Sequence, residues 1–350
     1  MSMEGEILFE RAGEIGLVTL NRPKALNALT HEMCLAFDAR LKEWETDATV
    51  RAVLVRAAGE KAFCAGGDIV KLYNEGRAGS DYPLSFYRDE YYLNTRIKHF
   101  PKPYIALIDG IVMGGGVGVS VHGSHRIATE RTLFAMPETG IGLFPDVGGS
   151  YFLPRLEGQL GMYLGLTGAR LKAGDSVFAG IAQVLVEADR LAALTDSLTS
   201  HRFGEDAAAE IDAIIRDHAA PAPEMPLAAH RALIDRHFAK DTVEEIVKSL
   251  QSDADEFAQK TAATLLTKSP TSLKLTYQQL RRGAALDFNN CMRMEFRMVS
   301  RIVKGVDFYE GTRATVIDKD QSPNWNPPTL EQVSAADVEA YFAPLEKELY

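Results

Sequence analysis

Glu138 and Asp146 stand eight residues apart in Phe134–Leu156 (FAMPETGIGLFPDVGGSYFLPRL), among Met136, Pro137, Ile141, Leu143, Phe144, Pro145 and Val147. Acids seldom keep such apolar company unless they are paired or at work, because burial strips a charge of its hydration. Partial burial raises a carboxyl pKa, so one of two acids can donate a proton while the other stays ionised. The plainer alternative is a surface acid plus a helix cap, with Asp146 two residues before Gly148-Gly149. At this level both stay open.

Lys61–Asp68 (KAFCAGGD) and Met113–Gly118 (MGGGVG) each lie just after an apolar, strand-like run. Consecutive glycines opening a helix leave backbone N–H groups uncovered and let a ligand come close. Two such loops on one side of a sheet can aim one N–H each at a single oxygen, the construction of an oxyanion hole. Glycines that merely permit tight helix–strand packing would look the same. Neither loop is a nucleotide signature: G-x-x-x-x-G-K-[ST] and G-x-G-x-x-G are missing, as are G-x-S-x-G, H-E-x-x-H and C-x-x-C. His122 and His125 are three apart but have no cysteine or carboxylate partner at ligand spacing, so a structural role and no metal site are expected.

The elements that must position these residues alternate through the first half. Glu6–Glu10 and Gly16–Leu20 read as strands around the turn Ala12-Gly13-Glu14. Thr30 offers an N-cap to a helix carrying Met33, Leu35, Phe37, Leu41 and Trp44. Arg51–Ala57 and Tyr104–Ile108 are β-branched, apolar runs of buried strands, and Arg126–Ala128 and Thr132–Ala135 are shorter candidates. From about Asp189 the strand signals stop. Helical spacing then dominates over Arg190–Ser200, Glu205–His218, Leu227–Lys240, Thr242–Leu250, Asp255–Lys268, Thr271–Gly283 and Asp287–Lys304, with a Pro/Ala hinge at Ala219–Pro226. The succession predicts an α/β architecture.

Composition narrows the function classes. A hydrophobic fraction of 46% and a charged fraction of 25% match globular averages. The net charge of -10 argues against nucleic acid as a partner. Cys34, Cys64 and Cys291 are too few and too scattered for a disulfide framework, which suits a reducing compartment. The acidic start Met1-Ser-Met-Glu-Gly-Glu reads as neither secretory signal nor transit peptide. Tyr104–Val121 is broken by Asp109 and falls short of the about 20 apolar residues a membrane span needs. A cytoplasmic protein with no membrane partner is the expectation.

Taken in order, the motifs resemble the crotonase (enoyl-CoA hydratase/isomerase) superfamily over nearly the whole chain. Leu20–Leu29 (LNRPKALNAL), the AFCAGGD and GGG loops and Asp307–Ala314 (DFYEGTRA) carry the resemblance. It implies a crotonase-like spiral of ββα units over residues 1–188, holding a coenzyme A thioester site, and a helical C-terminal region over 189–350. It implies an oxyanion hole from the N–H groups of Gly67 and Gly115, with Lys24, Ala25, Ala65 and Asp68 along the coenzyme A moiety. Relatives commonly associate, so a homo-oligomer formed through the helical region is expected.

Within the superfamily, hydration resembles a two-glutamate task. One glutamate corresponds to Glu138; the other belongs at position 118, which here is Gly118. Instead the chain has Asp146 in a PDVGG run and Glu90 in Phe86–Tyr91 (FYRDEY). The run PET-x-IGLFPDVGG-x-YFLPRL and Ile317–Pro327 (IDKDQSPNWNP) are similar to 3-hydroxyisobutyryl-CoA hydrolases. That narrower resemblance implies hydrolysis of a short 3-hydroxyacyl-CoA thioester in valine degradation, with an acyl-CoA as the partner. Coenzyme A is then part of the substrate, and no separate cofactor is expected. Glu138 would attack the carbonyl to give a mixed anhydride, or act as base for water. Asp146 would orient Glu138 or the water. Glu90 would contact the 3-hydroxyl, although an acid in a helix rich in Tyr and Arg is often only surface charge. Arg293, Arg297 and Arg301, spaced four apart, read as an ion-paired face or else as a subunit or phosphate contact. The competing readings are a hydratase or isomerase, and a non-catalytic subunit of the same fold. The last would be expected to have lost Glu138, Asp146 or a loop glycine.

Overall fold

The computed structural model describes residues 5–221 and 223–350. The acidic start and the Ala219–Pro226 hinge therefore fall partly outside the described residues. Ten strands occur among them: β1 (Ile7–Ala12), β2 (Ile15–Leu20), β3 (Ala52–Ala57), β4 (Ala62–Cys64), β5 (Tyr104–Ile108), β6 (Ile111–Met113), β7 (His125–Ala128), β8 (Leu133–Ala135), β9 (Leu171–Lys172) and β10 (Val184–Leu185).

β1 and β2 form the expected hairpin, antiparallel from Ile7↔Leu20 to Ala12↔Ile15. β2, β3, β5, β7 and β10 then follow in parallel, giving a six-stranded sheet in the order β1-β2-β3-β5-β7-β10. The remaining strands form a smaller sheet ordered β4-β6-β8-β9. Each step along the chain thus places one strand in each sheet before a helical segment: β3-β4, then β5-β6, then β7-β8. That repetition is the expected spiral of ββα units. β5 is buried at all five positions, as its unbroken apolar run requires of a parallel strand covered on both faces.

The chain forms two compact units, interleaved rather than consecutive. The first comprises residues 1–67, 92–134 and 170–225. Its core joins Ile15, Leu17, Leu54, Ile105, Leu107 and Ile127 of the sheet to Leu194, Leu198, Ile211 and Ile215. The last four come from the helices Leu191–Ser200 and Ala207–His218, so two helices beyond residue 189 belong to the strand-bearing unit. The expected N-cap is present: Thr30 Oγ1 accepts the Met33 N–H at 3.2 Å and starts the helix His31–Thr46.

The second unit comprises residues 68–91, 135–169 and 226–350 and is helical. Its helices begin where polar residues can take up orphan N–H groups. Thr242, Asp255, Ser269 and Asp287 each accept one from the first turn of the following helix, a contribution of about 1 kcal/mol apiece. No strand follows Leu185 among the described residues, and this is the helical C-terminal region the sequence predicts. Among the described residues no helix is long and apolar enough to cross a membrane.

Candidate active site

The glycine loops belong to the first unit. β4 and β6 are parallel neighbours, so the segments that leave their C-terminal ends start from the same edge. A Cβ on Gly66 would lie 3.5 Å from Met113 O and 3.8 Å from Gly115 N, which puts the two loops side by side. A Cβ on Gly116 would fall 2.2 Å from the Cys64 carbonyl oxygen, so the packing role of glycine is real at that position. Gly115 opens the short helix Gly115–Gly118. As its first residue, it has an N–H with no intrahelical acceptor.

Lys24 and Ala25 lie exposed in the 3-10 turn Pro23–Ala25. The strand of chain after them is laced to the first loop: Ala65 N–H donates to Leu26 O at 3.0 Å, and Leu29 N–H to Gly66 O at 2.8 Å. Asn27 fixes this arrangement from a buried, left-handed position, φ +54°. Its Nδ2 donates to Ala58 O and Ala62 O, while its Oδ1 accepts the Arg22 N–H. The structure therefore gathers Lys24, Ala25, Ala65, Gly67 and Gly115 in one neighbourhood. Asp68 accepts the Lys71 N–H at 3.2 Å and caps the helix Ile69–Arg77.

The carboxylates belong to the second unit. Glu138 heads the 3-10 turn Glu138–Ile141 that follows β8. That turn lies hard against the helix Asp307–Thr312, where a Cβ on Gly142 would meet the Asp307 carbonyl at 2.2 Å. Glu138 is 4% exposed, and its Oε2 has no hydrogen-bond partner. Glu90, on the buried face of the helix Tyr82–Lys98, likewise has an unpartnered Oε1. Asp146 is buried too, but Tyr91 Oη donates to its Oδ2 at 2.9 Å. It does not cap the helix Gly149–Phe152, whose N-cap is Gly148.

A fourth acid, Glu295, completes the cluster from the helix Phe288–Ile302. Burial pushes Glu138 well above the usual carboxylate range, and the charge of Asp146 adds to it. Glu90 moves the same way, first by burial and then by the charges of Asp146, Glu295 and Glu138. Burial carries Asp146 up to about 7 against the pull of the Tyr91 hydroxyl, and Glu295 up to about 8 against its backbone donors. Every neighbouring charge felt by Glu90, Glu138 and Glu295 is another carboxylate's. Such a group cannot ionise completely at neutral pH, so it holds protons and carboxylates ready together.

Residues 15–342 match the family described as enoyl-CoA hydratase/isomerase. The chain belongs to that family. It is 49% identical over 345 residues to the mitochondrial 3-hydroxyisobutyryl-CoA hydrolase of Danio rerio, covering 98% of this chain and 90% of the relative. The corresponding protein of Xenopus tropicalis is 48% identical over the same shares. Among solved structures, a carnitinyl-CoA dehydratase from Mycobacterium thermoresistibile is 42% identical with a TM-score of 0.93, covering 99% of each chain. The expected cytoplasmic location is corrected by these comparisons, since the curated relatives are named as mitochondrial proteins. An acidic N-terminal stretch was too weak a basis for assigning a compartment.

For a member of the enoyl-CoA hydratase/isomerase family, the reaction depends on which side chains line a common frame. Position 118 is a buried glycine inside the helix Gly115–Gly118, so it supplies no second carboxylate. The sequence singles out Glu138, Asp146 and Glu90, but not Glu295 or Tyr91, which join them in this buried cluster. A signal for Glu295 existed: it is the one acid on the buried face formed by Phe288, Cys291, Met292, Val299 and Ile302. The arginines around it are engaged within the unit. Arg297 pairs with Glu348 at 2.7 Å, and Arg301 donates to Tyr341 O and Pro344 O. His125 contacts the Ser124 hydroxyl through Nδ1 and lies 3.3 Å from Asp212 through Nε2. Among the described residues, no group of three or more His, Cys, Asp or Glu is arranged to hold a metal ion.

Proposed function

We propose that the chain hydrolyses 3-hydroxyisobutyryl-CoA to 3-hydroxyisobutyrate and coenzyme A. The observation that carries the substrate class is 49% identity, across 98% of the chain, to a protein named for that reaction. Within the site, the reading is supported by a buried Glu138 with one unpartnered oxygen, its pKa raised by burial and then by the charge of Asp146.

Hydrolysis asks for two things: donors for the oxyanion and a base for water. The N–H groups of Gly67 and Gly115 take the first role in this proposal, polarising the thioester carbonyl and holding the tetrahedral oxygen. Glu138 takes the second. Its raised pKa makes its ionised form a stronger base than an ordinary carboxylate. It accepts a proton from water as the water oxygen bonds to the carbonyl carbon. The carbon–sulfur bond then breaks and the proton passes to the departing thiolate. Asp146, held by Tyr91, orients Glu138 and the water. Glu90 accepts a hydrogen bond from the substrate's 3-hydroxyl, and an analogue lacking that hydroxyl leaves its buried oxygen unpaired. Lys24, Ala25, Ala65 and Asp68 border the coenzyme A portion, which enters with the substrate rather than as a separate cofactor.

A second reading, hydration or dehydration of an acyl-CoA, is favoured by the 42% identity to a carnitinyl-CoA dehydratase. Gly118 counts against it. Thiol release from 3-hydroxyisobutyryl-CoA and isobutyryl-CoA, with enoyl absorbance followed on crotonyl-CoA, separates the two. Fast thiol release that requires the hydroxyl supports the hydrolase. Loss of enoyl absorbance without thiol release would establish the hydratase instead.

A further inference from the structure

We propose that Glu295 is a positioning residue for Asp146, clamping the turn Pro145–Ser150 into a backbone shape that its own residues resist. The resistance is at Val147, which takes φ +49°. A β-branched side chain is among the least suited to that left-handed region, and the residue adjoins Asp146 directly. Left to local preferences, the turn would open and carry the Asp146 carboxylate with it.

Three anchors oppose this. The fully buried Glu295 accepts the Gly148 N–H on Oε2 and the Ser150 N–H on Oε1, both at 2.9 Å. Gln279, also buried, donates from Nε2 to Pro145 O at 2.6 Å and to Ser150 Oγ at 2.8 Å. The clamped atoms thus stand on both sides of Asp146, whose Oδ2 is meanwhile tied to Tyr91 at 2.9 Å. A carboxyl group suits the Glu295 position. Its two oxygens face two N–H groups, whereas an amide of the same shape offers one oxygen and turns a donor toward a donor. Glu295 therefore acts on the reaction through the geometry of another residue, without touching substrate.

The inference rests on reading Asp146 as a working carboxylate, and its test separates the two ideas. Thiol release from 3-hydroxyisobutyryl-CoA is measured for Glu295→Gln, Asp146→Asn and the double variant, with Tm recorded for each. Glu295→Gln is expected to lower kcat on the order of 10–100-fold while KM moves by less than about threefold. In the Asp146→Asn background it should lower kcat by less than about threefold more, because residues acting as a unit are not additive. Losses that multiply in the double variant, or a Glu295→Gln enzyme with wild-type kcat, overturn the positioning role. An Asp146→Asn enzyme with wild-type kcat overturns the reading of Asp146 itself, and the positioning role falls with it. Should Glu295→Gln fail to fold, Gln279→Met loosens the same turn from its other anchor. It should lower kcat roughly 3–10-fold alone and by less than about twofold beside Asp146→Asn; a multiplicative loss contradicts the proposal here too.

Discussion

The glycine loops of the first unit and the carboxylate turns of the second are built on opposite principles. In the proposed reaction, the segments after β4 and β6 contribute backbone N–H groups, and the sequence provides them by withholding side chains. Gly116 leaves no space for a methyl group beside the Cys64 carbonyl. Around Glu138 and Asp146 the proposed reaction relies on side chains, and the fold leaves oxygens of Glu138 and Glu90 without partners. Glu138 and Glu90 each keep a buried oxygen unmatched, which burial alone makes costly by about 1–3 kcal/mol. One region is defined by the atoms it excludes, the other by the hydrogen bonds it leaves unmade. That contrast predicts different responses to small substitutions.

The largest effect belongs to the carboxylates. Glu138→Gln keeps the shape and removes the base, so kcat for thiol release should fall on the order of 10³-fold while Tm stays level or rises. A fall in Tm as large as the fall in activity would mean that Glu138 is structural. Next comes the glycine region, where Gly116→Ala should cost about 10²-fold in kcat together with a clear drop in Tm. Activity lost with no loss of Tm would contradict the packing account of that glycine. Tyr91→Phe removes the donor that favours ionised Asp146, so its pKa should rise above about 7. We expect kcat to fall roughly tenfold at neutral pH, recovering in part as the pH is raised. The smallest effect lies outside both regions: Arg297→Ala breaks a half-buried pair with Glu348 and should change stability by ~1 kcal/mol or less, leaving kcat alone.

Much of this was legible in the sequence because its causes are local. The Thr30 cap, the β5 run and the helix starts at Thr242 and Asp255 follow from residue type and spacing over a few positions. Glu138 and Asp146 stood out because acids among apolar residues are conspicuous. What stayed hidden depends on partners far away in the chain. Tyr91 meets Asp146 across 55 residues, and Glu295 meets Gly148 across 147. No local rule proposes either pairing. The left-handed Val147 ran against its own residue type, so a reading by propensity could not have placed it. The roles of Gln279 and Asn27 emerge only once two segments lie side by side.

The central claim is that burial in a cluster of like charges sets the working acidity of the site. The direct test is the pH dependence of kcat/KM for thiol release, for the unaltered enzyme and for Asp146→Asn. The account predicts an ascending limb near neutrality, since burial holds Asp146 at about 7 and Glu138 well above its usual range. Removing the Asp146 charge should move the Glu138 limb to lower pH, because that charge helps to hold Glu138 protonated. A limb near the ordinary carboxylate value of about 4, unmoved by Asp146→Asn, would contradict it.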